Sequence, residues 1–166
     1  MIKIIILISI FGLCGYVGLG FGKIYKNKIL FYEEYKNFCE LLKNEISFLK
    51  TDLISIISKC KYKSCFKDVL SFYENSLKNN ADFEIEKLCN KISKNIFLDE
   101  EDKRLINNLF IDLGLIGYDE QLKKINWCGE EISKKMEKYK SKSDKFIPLC
   151  NKMGFLVGLL VCIVLI

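Results

Sequence analysis

Across its 166 residues the chain has no histidine, one proline, one tryptophan and, in Arg104, one arginine. Without histidine there is no imidazole to activate a serine or cysteine, and a zinc site would need four thiolates. A glycine-rich phosphate loop and a P-loop lysine are also missing, which removes the usual cradle for a nucleotide. A lone arginine argues against nucleic acid, because phosphate and base edges are read best by its fork. No Pro-rich linker, low-complexity segment or internal repeat divides the chain, whose length suits one modest domain. No catalytic residue, cofactor or metal is expected, and paired acids such as Glu33–Glu34 and Glu100–Glu101 read as solvated helix faces.

What is abundant is lysine and apolar side chains. Half of the residues are hydrophobic and the formal net charge is +5. The apolar excess gathers at the two ends, in "IIILISIFGLCGYVGLGFG" and "MGFLVGLLVCIVLI". Ile4 to Gly22 is an uncharged run of about 19 residues, enough for a helix to cross a bilayer core. It is longer than a usual signal core, and Leu13 precedes Cys14 where a lipoprotein signal has a small residue, so an uncleaved anchor is the expectation. Met153 to Ile166 spans only about 21 Å as a helix. It reaches bilayer length when extended back through "FIPLC", with Lys152 snorkelling and Pro148 near the helix start.

Lysines flank both ends on their inner sides. Lys23, Lys26 and Lys28 follow the first run, and Lys138, Lys140, Lys142, Lys145 and Lys152 precede or open the second, which predicts a cytoplasmic middle. The same lysines are placed to touch anionic headgroups. The eight cysteines have no regular spacing, and Cys14 and Cys162 lie inside the apolar runs. They read as reduced thiols and not as a disulfide framework.

Between the ends the periodicity is helical and no two-residue alternation is sustained. Leu30, Phe31, Phe38, Leu41, Leu42, Ile46 and Leu49 recur at helix spacings. A short element starts at a Thr51/Asp52 cap, another carries Phe66, Val69, Leu70, Tyr73 and Leu77, and a third is capped by Asp82. "LDEEDKRLINNLFIDLG" opens on acids and closes at Gly114, and a last helix runs from Asp119, its expected cap, toward the C-terminal run. The fold class is therefore all-α: an antiparallel helical bundle over 23–147, flanked by transmembrane helices at 1–22 and 148–166. Trp127, beside Ile125 and Cys128, is expected to be partly buried.

The break "LGLIGYDEQL" leaves Gln121 and the compact pattern of Leu113, Gly114 and Asp119 beyond what a helix junction requires. Together with the Gly-containing N-terminal run, "LLKNEISF" followed by Leu53, and the C-terminal "MGFLVGLLVCIVLI", this order resembles the stage III sporulation protein AB family along essentially the whole chain. Lys43 departs from that pattern, where an acid is usual, as do Asp52, where a proline is usual, and "LIGY", where residues are small.

The resemblance implies a component of the channel-like complex joining mother cell and forespore. The family's soluble domain is similar to the helical domains of the platform protein of type II secretion and type IV pilus systems. It implies a non-enzymatic adaptor in the mother-cell membrane facing the forespore. The implied partners are the secretion-type ATPase of that complex, other channel components and the lipid bilayer. From the residues, Glu45, Asp119 and Gln121 are the candidate fold-fixing or partner-contacting polar groups. Gly18 with Gly22 and Gly154 with Gly158 form GxxxG pairs suited to close helix packing in lipid. Two other functions fit the same outline: a two-anchor holin or toxin, and a membrane-bound sensor.

Overall fold

Six helices and no strand make up the described residues, which a computed structural model places at 2–48, 53–79, 81–92, 96–111 and 113–165. In order these are α1 (Ile2–Phe48), α2 (Leu53–Lys59), α3 (Phe66–Lys78), α4 (Ile85–Ile92), α5 (Glu100–Phe110) and α6 (Tyr118–Leu165). The Thr51/Asp52 cap and Leu49 lie outside the described residues. The chain divides into two compact units, one made of residues 27–137 and the other of residues 1–26 with 138–166.

The unit 27–137 is built on aromatic rings. Phe66, at the start of α3, is fully buried, with its ring 5.6 Å from those of Phe31, Tyr35 and Phe38 of α1 and 5.5 Å from Tyr62. A second cluster joins Tyr73, Phe83 and Phe110, with Tyr73 and Phe110 only 4.7 Å apart, and the Phe38–Phe110 pair at 5.9 Å connects the two. Each such ring contributes about 1.5–3 kcal/mol by leaving water, and the tilted geometry adds a little more. From α6 the same unit buries Gln121, Ile125, Cys128 and Ile132, spaced at 4, 3 and 4 residues along one helical face.

Local signals set most helix ends. Asp99 caps α5 by accepting from the Asp102 N–H at 2.8 Å, while Asp102 returns the bond to the Asp99 N–H at 3.0 Å, a reciprocal capping box. Asp82 is not the cap of α4, because that helix starts at Ile85 and its first turn closes on the Glu84 carbonyl. Gly114 does not end α5, whose last residue is Phe110. It takes a φ of +86° in the connection that follows, where a Cβ would stand 3.0 Å from Leu53 Cδ1.

In the other unit, Tyr25 of α1 lies 5.9 Å from Tyr139 and 6.0 Å from Phe146 of α6. Gly22 is buried against α6, and a Cβ there would approach Ile147 Cγ2 to 3.4 Å. Pro148 is not near a helix start: α6 runs through it without a break, and its missing N–H leaves the Asp144 carbonyl without the usual intrahelical partner. Among the described residues no helix is long and apolar enough to cross a membrane.

Candidate functional site

The most buried charges in the unit 27–137 meet where α1, α5 and α6 converge. Asp102 is 1 % exposed and holds four groups. One carboxylate oxygen accepts from the Tyr32 hydroxyl and from Lys135 Nζ, both at 2.8 Å; the other accepts the Asp99 N–H and stands 2.8 Å from Lys28 Nζ. Lys135 also donates to Asp99 at 2.7 Å and lies 3.2 Å from Glu101. Burial pushes the Asp99 carboxyl up, but the Lys135 hydrogen bond, the Asp102 N–H and the two ammonium charges together hold it below its ordinary value. For Lys135 burial acts downward and the bonds to Asp102 and Asp99 outweigh it, so its affinity for the proton is raised. The arrangement is a three-helix ionic clamp with its charge compensated.

Lys28 is thus no headgroup-facing lysine: it is 2 % exposed and points into the clamp, with its ammonium 5.6 Å from the centre of the Tyr32 ring. Nor is Glu34 part of a solvated pair. It is 6 % exposed and accepts from the Lys63 and Ser64 N–H groups, at 2.8 Å and 3.1 Å, and from the Ser64 hydroxyl, so that it ties the α2–α3 connection to α1. Glu100 and Glu101 do face water, with side chains 80 % and 78 % exposed.

Between α1 and α6 lies an open groove of about 480 Å³, lined by Lys36, Glu40 and Lys43 on one side and Asn126, Glu130 and Lys134 on the other. Gly129 lets the helices approach at its floor, where a Cβ would stand 3.5 Å from Cys39 Cβ. Burial raises the Cys39 thiol well above its usual value, and the neighbouring Cys128 adds to this. Cys128 is itself raised by burial, against a hydrogen bond with Tyr35 that acts downward. Thiols held protonated in this way are poor nucleophiles, and the charges of the lining alternate in sign, which suits no single-sign ligand. Cys39, Cys60, Cys65, Cys89 and Cys128 are all free.

The three polar candidates of the sequence occupy different settings. Glu45 is only 14 % exposed and stands 3.7 Å from Lys59 of α2. Gln121 is 8 % exposed and sits among Leu109, Leu113, Ile116 and Ile125, with its N–H donating to the Gly117 carbonyl at 2.9 Å. Asp119 is exposed inside the first turn of α6, one residue past the helix start, where its charge suits the helix dipole and the cap position falls to Gly117. Around it the junction exposes Ile111, Leu115 and Tyr118, of which Leu115 is 81 % open to solvent. Of the glycine pairs, Gly22 is at the Ile147 contact; the packing around Gly18, Gly154 and Gly158 lies outside what the structure describes. Trp127 is 47 % exposed on α6.

A family model described as stage III sporulation protein AB matches residues 3–166. The chain belongs to the stage III sporulation protein AB family. The match takes in α1 from Lys3 onward and all of α2 to α6, so the clamp, the α5–α6 junction and both apolar ends are all within the family's span. Membership implies a sporulation-related role. No curated protein and no solved structure matches the chain.

The clamp and the Glu34 tie were not foreseen. Asp99 and Asp102, three apart at a helix start, do carry a capping-box signature, but nothing local marks Lys28, Glu34 or Lys135 as buried. Their partners lie 29 to 74 residues away.

Proposed function

We propose that this protein is a non-enzymatic membrane adaptor of the sporulation channel complex, docking a cytoplasmic secretion-type ATPase to the mother-cell membrane that faces the forespore. The observation that carries the reading is the family match over residues 3–166, which spans both the helical unit and the two apolar ends. The uncharged run from Ile4 to Gly22, lying in α1, and the extended run through Pro148 to Ile166 act as the anchors, with Gly18, Gly22, Gly154 and Gly158 as packing positions. The unit 27–137 is the cytoplasmic part.

Within that unit the α5–α6 junction is the partner-facing surface. It combines exposed Ile111, Leu115 and Tyr118 with the acids Asp119 and Glu120, the mixture of apolar anchor and polar rim that protein interfaces use. Gln121 supports that surface from beneath, among Leu109, Leu113 and Ile116, while Glu45 fixes α1 to α2 through Lys59. The test is capture of the purified ATPase by the full-length chain in detergent, with Leu115→Asp compared against wild type at equal helicity. Loss of capture by the folded variant supports the docking face. Undiminished capture moves the face elsewhere, and no capture by the wild type removes the ATPase as partner.

A further inference from the structure

Charge is divided very unequally between the two units. Residues 1–26 and 138–166 carry eight lysines and a single acid, Asp144, whereas residues 27–137 carry eighteen cations and twenty acids. A chain of net charge +5 is therefore one unit of +7 and one of −2.

The positive charge is also ordered along a helix. In α6, Lys138, Lys142 and Lys145 recur at spacings of 4 and 3, all exposed, and the same stripe continues into Leu149, Met153, Leu156, Leu160 and Ile163, all at least half exposed. Two turns of lysine thus lead into about 21 Å of open helix face that is apolar apart from exposed Lys152, one turn in. Exposed Lys23 and Lys26 flank Tyr25, whose ring sits beside those of Tyr139 and Phe146 at the level where lysine gives way to apolar residues. Cation, aromatic and then apolar is the sequence of environments met on entering a bilayer from water.

We infer that Lys23, Lys26, Lys138, Lys142 and Lys145 form a collar that seats on the headgroups of acidic phospholipids, so that the chain selects an anionic leaflet. The inference rests on the membrane reading above and adds to it the set of exposed lysines that meets the acidic headgroups, from which buried Lys28 is excluded. Nucleic acid fits the stripe poorly, since its cations are all lysine and it runs directly into exposed leucine and methionine.

The test uses the full-length chain reconstituted in phosphatidylcholine bilayers containing about a quarter phosphatidylglycerol, with spin-labelled forms of each lipid reporting motionally restricted boundary lipid. The expected result is a restricted fraction at least about threefold larger for the phosphatidylglycerol label at low salt, falling toward equality at high salt. The K138Q/K142Q/K145Q variant, altered only at exposed positions, is expected to keep its helicity and lose that preference. Equal restriction of both labels by the wild type overturns the collar and leaves the membrane reading standing. No restricted component with either label overturns both. A preference undiminished in the variant also overturns the collar.

Discussion

The two units place their apolar side chains and charges differently. Residues 27–137 bury whole aromatic rings and pair their few buried charges. Residues 1–26 and 138–166 instead leave Leu149, Met153, Leu156, Leu160 and Ile163 open, and carry nearly uncompensated lysine beside them. The same side chain therefore has a different worth in each unit. Most large apolar residues of the first are core elements, whereas a whole helix face of the second stays open to solvent.

The sharpest way to break this comparison is to truncate one large apolar side chain in each unit. Phe66→Ala is expected to remove about 4 kcal/mol, since Phe66 is fully buried among Phe31, Tyr35, Phe38 and Tyr62; urea unfolding of the chain in mild detergent, followed by far-UV circular dichroism, measures it. Next in size is Asp102→Ala, which strands Lys28 and Lys135 without their shared carboxylate and is expected to cost about 3 kcal/mol by the same measurement. An unchanged midpoint would mean that the clamp is solvated and that the charge pairing of this unit is superficial.

Gly114→Ala is expected to cost about 1–2 kcal/mol, because a side chain must adopt φ +86° and stand 3.0 Å from Leu53 Cδ1. Thermal unfolding reads that loss.

Acid has a smaller effect. The Asp99 carboxyl is held below its ordinary value of 3.8 in the folded protein, so its contribution is complete above that value and is lost as pH falls through the lower folded value. With the Asp99 side chain 42 % exposed, the loss is expected to stay under about 1 kcal/mol and to vanish in Asp99→Ala, as seen by urea midpoints against pH. Lys135 works at the other end of the scale: its raised folded value keeps its contribution below 10.5 and releases it only in stronger alkali. Smallest of all is Leu156→Ala, 62 % exposed, expected to shift stability by no more than about 0.5 kcal/mol. If it matched Phe66→Ala, Leu156 would be part of a core and the contrast between the units would fail.

Helix class and much of the packing were readable from spacing. Phe31, Phe38 and Leu42 on α1, and Phe66, Val69, Leu70 and Tyr73 on α3, were placed inward by periodicity and are buried. Leu30, assigned to the same apolar stripe, is 38 % exposed, and the stripe passes instead through Tyr32 and Tyr35. Those two tyrosines are buried because their hydroxyls find Asp102 and the Leu105 carbonyl, each 70 residues along the chain. Pro148 misled for a related reason: a proline in sequence marks a probable helix boundary, yet α6 continues through it, with one carbonyl left without its intrahelical partner.

What the sequence by itself determined was the all-α class, the family, the apolar ends and the poverty in catalytic groups, since composition, helical spacing and residue order are local and additive along the chain. What only the tertiary structure decided was which charges are inside. Lys28, Glu34, Asp102 and Lys135 look like any other surface ions until α1, α5, α6 and the α2–α3 connection bring them together. A charge can leave water only where its partners already wait, and that condition is set by the fold and not by the neighbouring residues.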